Sequence, residues 1–322
     1  MTELWTYEGP GAGQSSFPCL QANSETLELA TLLAQVRLEK TELSSLVEQH
    51  GALLFRGMPL LSASDFDAFI EAFAWPNFSY ADSLSNAVRS NRTERVFTAN
   101  EAPPEIEIFL HHEMAQTPVY PGKLFFFCET APDSGGETPM CRSDRLLAMM
   151  RQQQPEFVQR CAEEGLRYTN VMPLAADAAS GQGRSWTSTL GTNDRELAEQ
   201  KLAGLGYTWS WLHGGDLKVT TPVLAAVREL ASGSQVFFNQ LIAAYQGWND
   251  NRNTGEKSVS FGSGAEIAAR DLALTYQLAQ EITENVAWHR GDVVLLDNFM
   301  MMHGRRPFRG SRSILASLIG VQ

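Results

Sequence analysis

The sequence predicts a mainly β fold with surrounding helices (α+β), built on a double-stranded β-helix, or jelly-roll, core. Three observations predict it. Short, mostly apolar runs bounded by turn residues recur at Ala52–Phe55, Leu124–Cys128, Val293–Asp297 and Ser313–Ile319, the pattern of strands with buried faces. Helix-period stretches lie between and before them, and strands near both ends with helices outside close a jelly roll around one pocket. The stretch Phe109-Leu110-His111-His112-Glu113-Met114 supplies chemistry to such a pocket.

Residues 1–25, rich in Gly, Ser and Pro, read as an irregular arm. From Ser24 to His50 the apolar spacing is helical, and Gly51 stops the helix. Gly51–Gly57 encloses a strand. Ser62-Ala63-Ser64-Asp65 offers cap residues for a helix with Phe66, Phe69, Ile70 and Phe73 on one face, ended by Trp75-Pro76. Residues 77–108 read as loop apart from Val96-Phe97-Thr98, either a substrate loop or a surface excursion. After the Leu124–Cys128 strand, Ser134-Gly135-Gly136 turns the chain into another strand, and Ser143-Asp144 can cap a helix over Arg145–Met150. Residues 150–235 read as an insertion of mixed helix and loop lying over the core of a single 1–322 domain. Gln235–Asn239 is a strand, Glu266–Ile282 a helix, and Trp288–Asp292 a turn.

Composition bounds the function. Hydrophobic residues make up 43% of the 322, enough for a large core. A formal charge of −12 opposes nucleic-acid binding, which needs Lys and Arg against phosphate. Cys19, Cys128, Cys141 and Cys161 form no C-x-x-C pair and no dense framework, so neither a structural zinc nor a secreted disulfide scaffold is expected. Met1-Thr2-Glu3-Leu4-Trp5 lacks the pattern of a signal peptide, and no apolar stretch reaches the ~18 residues of a membrane span. The expectation is a cytoplasmic protein with a small-molecule substrate.

In an extended strand alternate side chains share a face, so His111 and Glu113 point one way and His112 the other. A second imidazole, His303, brought in by folding completes a two-His, one-carboxylate facial triad, the ligand set of non-haem Fe(II) oxygenases. Such a triad leaves positions for a chelating 2-oxo acid and for O2. The distal carboxylate of 2-oxoglutarate then calls for a fixed guanidinium. Arg312 opens the last strand shortly after His303, and Thr138 is the candidate hydroxyl donor. His112 would be the ligand instead only if the strand is bulged. Arg305 is either a substrate contact or part of a structural ion pair. Asn239 either lines the pocket or supports backbone.

His111-His112-Glu113-Met114, Gly135-Gly136-Glu137-Thr138-Pro139, Phe238-Asn239-Gln240, Gly291-Asp292, Asp297-Asn298 and His303-Gly304-Arg305-Arg306-Pro307-Phe308-Arg309-Gly310-Ser311-Arg312 stand in one order. In that order the chain resembles the taurine dioxygenase-like Fe(II)/2-oxoglutarate oxygenases, nearest the SyrP-like and clavaminate synthase-like amino-acid hydroxylases, from about Gly51 to the C-terminus. The resemblance implies Fe(II) on His111, Glu113 and His303, 2-oxoglutarate on Arg312 and Thr138, and an amino-acid-like substrate, free or carrier-tethered. It departs from the branch at His112, at Ala115-Gln116 and at Ser263, which marks Gln116 as a substrate-side candidate with Asn239 and Arg305. Related halogenases replace the carboxylate with a small residue, so Glu113 implies hydroxylation, or another oxidation such as desaturation, epoxidation or cyclisation, over chlorination. Two rivals stand beside this reading: a cupin-like metal-dependent hydrolase or isomerase, and a binding protein that keeps the fold without the chemistry.

Overall fold

Val293–Leu296 is apolar at consecutive positions because the strand Val293–Asp297 runs through the middle of a sheet covered on both faces. The computed structural model describes residues 4–11, 16–80 and 83–320. Its largest sheet has seven strands, in the order Trp5–Glu8, Cys19–Ala22, Ala52–Arg56, Val293–Asp297, Lys123–Thr130, Ser313–Ile319 and Phe97–Thr98. Neighbours are antiparallel except Cys19–Ala22 against Ala52–Arg56. Leu295 lies between Leu53 and Phe125, and Val294 between Leu54 and Phe126, so alternate residues form two apolar faces.

One face carries Leu53, Phe55, Phe125, Phe127, Leu295 and Leu315 against the helices Leu29–His50 and Ala63–Glu71. Leu32, Val36, Leu43 and Val47 form the buried stripe of the first helix. It ends where the Gly51 N–H bonds back to the Val47 carbonyl at 2.7 Å. The second is capped by the Ser62 hydroxyl, which accepts from the Asp65 N–H at 3.2 Å. Burying a Phe or Leu side chain of this kind contributes about 1.5–3 kcal/mol.

The other face carries Leu54, Leu124, Phe126, Val294, Leu296 and Ala316 against Met140, Val286 and Met301 of a second sheet. That sheet runs Glu284–Val286, Thr138–Arg142, Met301–Arg305, Ile108–His111, all antiparallel. Its outer residues Leu110, Cys141 and Met302 pack under the helices Ser143–Gln153, Pro155–Glu164, Leu241–Gly247 and Ala269–Glu281. The order of layers is therefore helices, sheet, sheet, helices, a mixed α/β architecture. Among the described residues no helix is long and apolar enough to cross a membrane.

Several expectations are corrected. The arm is not irregular throughout: Trp5–Glu8 and Cys19–Ala22 pair at the edge of the large sheet. Residues 1–3 lie outside the described residues. Ser143 does not cap its helix but starts it, with its hydroxyl donating to the carbonyls of Phe299 and Met300, both at 3.1 Å. The Gln235–Asn239 strand shrinks to Gln235–Val236. Residues 150–235 hold more sheet than composition implies: Thr208–Trp211, Leu217–Thr220 and Leu166–Met172 join Val259–Phe261 in a four-stranded sheet. Met172, Trp186, Leu202 and Leu217 give that region a small core of its own.

Candidate metal centre

His303 and His111 are direct partners across the Met301–Arg305 and Ile108–His111 strands, and their ring centroids lie 4.4 Å apart. Pairing thus brings together two residues far apart in the chain. The register shifts just after His303, where a Cβ on Gly304 would sit 2.3 Å from the Ile108 carbonyl oxygen. Glycine is required there for the strands to close.

Glu113 reaches the same point by another route than strand alternation. The strand ends at His111, and Glu113 lies in the turn that follows, with Met114 at φ 60°. Asn298 holds that turn. Its Oδ1 accepts from the Glu113 N–H at 2.7 Å, and its Nδ2 donates to the carbonyls of Glu113 at 3.0 Å and Pro121 at 2.8 Å. As a result His303 Nε2 stands 3.6 Å from Glu113 Oε2, and ligand atoms of His111, Glu113 and His303 all lie within 4.8 Å of one another. His112 stays outside this group. Its Nδ1 bonds the Asn298 carbonyl and its ring packs on Phe238 at 4.9 Å.

The donor set suits a divalent ion. His111 Nδ1 lies 2.8 Å from the Phe109 carbonyl, which can only accept, so its lone pair sits on Nε2. Burial and then the charge of His303 pull His111 down to about 4 against the attraction of Glu113, so the ring is neutral near pH 7. Burial by itself would raise Glu113. The charge of Arg89, with His303 and His111, outweighs it and holds the carboxyl well below the usual carboxylate range. Arg89 Nη2 lies 3.0 and 3.1 Å from the two Glu113 oxygens. Its guanidinium rests on Tyr80 and Phe97, 5.3 and 5.4 Å from the ring centroids. Two imidazoles and one carboxylate with open positions are the donors of a non-haem iron site.

A cavity of about 180 Å³ opens beside these three residues, and Thr138 and Arg312 share its wall. Arg312 Nε donates to the Gly136 carbonyl at 3.0 Å, which fixes the plane of its fork. Burial, then the charge of Arg305, lower it to about 10, and it remains a cation at neutral pH. The Thr138 hydroxyl accepts from Trp288 Nε1 at 3.0 Å, leaving its own proton to donate. The Gly135-Gly136 turn is what lets the Pro307–Arg312 segment come so close: a Cβ on Gly136 would stand 3.1 Å from Arg312 Cδ.

The substrate-side candidates separate. Gln116 lines the cavity, and its buried Oε1 has no hydrogen-bond partner. Asn239 lies outside the cavity wall. Its side chain bonds the Ala226 carbonyl at 3.3 Å and the Leu241 N–H at 2.9 Å, which is the backbone-support alternative. Arg305 lines the wall, yet both its Nη atoms go to backbone carbonyls, those of Asn100, Ala102, Pro103 and Ile106 at 2.6–3.3 Å. These bonds strap the 100–106 segment; Arg305 makes no ion pair among the described residues, and its Nε has no hydrogen-bond partner there. Ser263 is exposed, bonded to Glu164, and away from the cavity. Sequence reasoning missed Arg89, in a polar stretch without periodicity, and Trp288. Asn298 stood in the Asp297-Asn298 pair, with nothing to show its partner.

A family model described as "Taurine catabolism dioxygenase TauD, TfdA family" matches residues 14–318. A clavaminate synthase-like protein of Arabidopsis thaliana is 42% identical over 293 residues, 91% of this chain and 88% of that protein. The dapdiamide synthesis protein DdaC of Enterobacter agglomerans is 25% identical over 293 residues, 86% of this chain and 84% of that protein. The crystal structure of a taurine dioxygenase from Burkholderia xenovorans superposes with a TM-score of 0.54 at 15% identity, covering 99% of this chain and 90% of that one, a likeness of fold. Nearly the whole length is matched by the family model, and the chain belongs to the TauD, TfdA family as a non-haem Fe(II)- and 2-oxoglutarate-dependent dioxygenase that uses O2.

Proposed function

We propose that this dioxygenase hydroxylates an unactivated carbon of an amino acid or amino-acid-derived substrate in specialised metabolism, on a jelly-roll core. The observation that carries this is the shared wall: His111, Glu113 and His303 face the same cavity as Thr138 and Arg312. His111, Glu113 and His303 would hold Fe(II), and Arg312 with Thr138 would hold the distal carboxylate of 2-oxoglutarate. When bound, that pair with O2 supplies the oxidant for a C–H bond and leaves succinate and CO2. The protein's own residues position and exclude. Arg89 and Asn298 fix where the Glu113 oxygens stand, and Trp288 turns the Thr138 hydroxyl. The relative named for dapdiamide synthesis supports an amino-acid-related product. In this reading residues 1–322 form one cytoplasmic oxygenase domain. The 150–235 insertion then roofs the cavity, and its Ala179–Gln182 stretch lines it.

The test is a screen of amino acids for stimulated succinate release from Fe(II), 2-oxoglutarate and O2, followed by product mass. A gain of one oxygen atom supports hydroxylation. A loss of two hydrogens moves the reading to desaturation. A protein that ignores 2-oxoglutarate and turns over only with zinc or manganese refutes it in favour of a hydrolase.

A further inference from the structure

The cavity wall holds four polar residues with buried atoms that lack a hydrogen-bond partner among the described residues and belong to neither the metal set nor the Arg305 strap. They are Asn86 Nδ2, Arg89 Nε and Nη1, Gln116 Oε1 and Gln182 Oε1. Buried donors and acceptors are almost always paired, because leaving one unpaired forfeits its hydration. Four residues so placed in one concave wall mark a surface shaped for a ligand. They also sort by sign: Asn86 and Arg89 offer N–H donors, and Gln116 and Gln182 offer carbonyl acceptors.

Arg89 is the centre of the donor side. Its side chain is only 7% exposed, and two of its three nitrogens remain free after Nη2 has taken Glu113. Charge points the same way. The wall carries Arg89, Arg305 and Arg312 against Glu107, Glu113 and Asp250. Glu107 is matched by Arg306 at 2.6 Å and Asp250 by Arg252 at 2.9 Å. A divalent cation and the dianionic co-substrate cancel each other, which leaves Arg89, whose Nε and Nη1 have no partner among the described residues, as a cation on the wall for an anionic substrate group to meet.

We propose that the substrate places a free carboxylate on Arg89 and Asn86 and an ammonium on Gln116 and Gln182, the head group of a free α-amino acid. This rests on the oxygenase reading and narrows it, because an acyl group held as a carrier thioester has no such carboxylate. Arg89 thereby joins two tasks: one edge of its fork orients the metal carboxylate, and the remainder selects the substrate.

The experiment uses the full chain loaded with Mn(II) and N-oxalylglycine, which cannot turn over. Calorimetry with a panel of free L-α-amino acids, diamino acids included, identifies those that bind, and each is compared with its carboxamide. The acid is expected to bind about 100-fold more tightly than the carboxamide. Arg89→Met should erase that gap. Asn86→Asp, close in volume and leaving the Arg89–Glu113 pair in place, should narrow it by weakening the acid alone. Equal binding of acid and carboxamide overturns the proposal, as does a gap that survives both variants or a panel in which nothing binds. Binding of N-oxalylglycine itself, and its loss in Arg312→Lys, reports separately on the oxygenase reading. If that first step succeeds and the head-group comparison fails, only the present inference falls; if it fails, both do.

Discussion

Replacing Asn298 by alanine should damage the metal site from a position that never touches the metal. The side chain is fully buried and makes three hydrogen bonds, two of them to the main chain of Glu113. Asn298→Ala strands one N–H and two carbonyls in the interior. A hydrogen bond contributes about 1 kcal/mol net, and a stranded buried group costs about 1–3 kcal/mol. With partial relaxation the loss of stability should come to about 3–5 kcal/mol. Met114, at φ 60°, adds about 1 kcal/mol of backbone strain that the clamp now holds in place. Released, the turn lets Glu113 wander from His111 and His303, and Mn(II) affinity should fall about 10–100-fold. Guanidinium melts of the metal-free protein give the first number, and calorimetric Mn(II) titration gives the second. Asn298→Asp, which keeps one acceptor but no donor, should fall between. An alanine variant that melts within about 1 kcal/mol of the wild type and binds Mn(II) equally well would refute the clamp.

Trp288→Phe keeps an aromatic side chain, smaller than the indole, and removes the N–H that turns Thr138, so 2-oxoglutarate affinity should drop about 3–10-fold with Mn(II) affinity unchanged; calorimetry reads both. Arg312→Lys keeps the charge and loses the fork and its bond to Gly136, and should weaken 2-oxoglutarate about 10–100-fold without moving the metal constant. Arg305→Met frees four carbonyls of the 100–106 segment. Hydrogen exchange there should accelerate and stability fall by about 2–4 kcal/mol, while Mn(II) binding is retained.

The sequence made the core strands legible because burial on both faces leaves unbroken apolar runs such as Leu124–Cys128 and Val293–Leu296. Their partners were not legible, since Leu295 between Leu53 and Phe125 is a matter of register across distant segments. The sheet within 150–235 left a signal that composition masked. Thr208-Trp209-Ser210-Trp211 and Leu217-Lys218-Val219-Thr220 alternate around His213-Gly214-Gly215-Asp216, a hairpin pattern. At the site, His111, Glu113 and His303 were readable as residue types, while the reason for Glu113's position was not. Alternation along a strand predicted a common face, but the strand stops at His111 and a turn held by Asn298 does the work. Arg89 was invisible in the same sense: nothing local distinguishes it from Arg92 or Arg95, which pair on the surface with Glu129 and Asp67.

The most direct test is anomalous diffraction from crystals grown without oxygen in Mn(II) and 2-oxoglutarate. A single manganese peak bonded to His111, Glu113 and His303, with the distal carboxylate of 2-oxoglutarate on Arg312, is the predicted result. Manganese held by other side chains, or 2-oxoglutarate bound away from Arg312, would contradict the account.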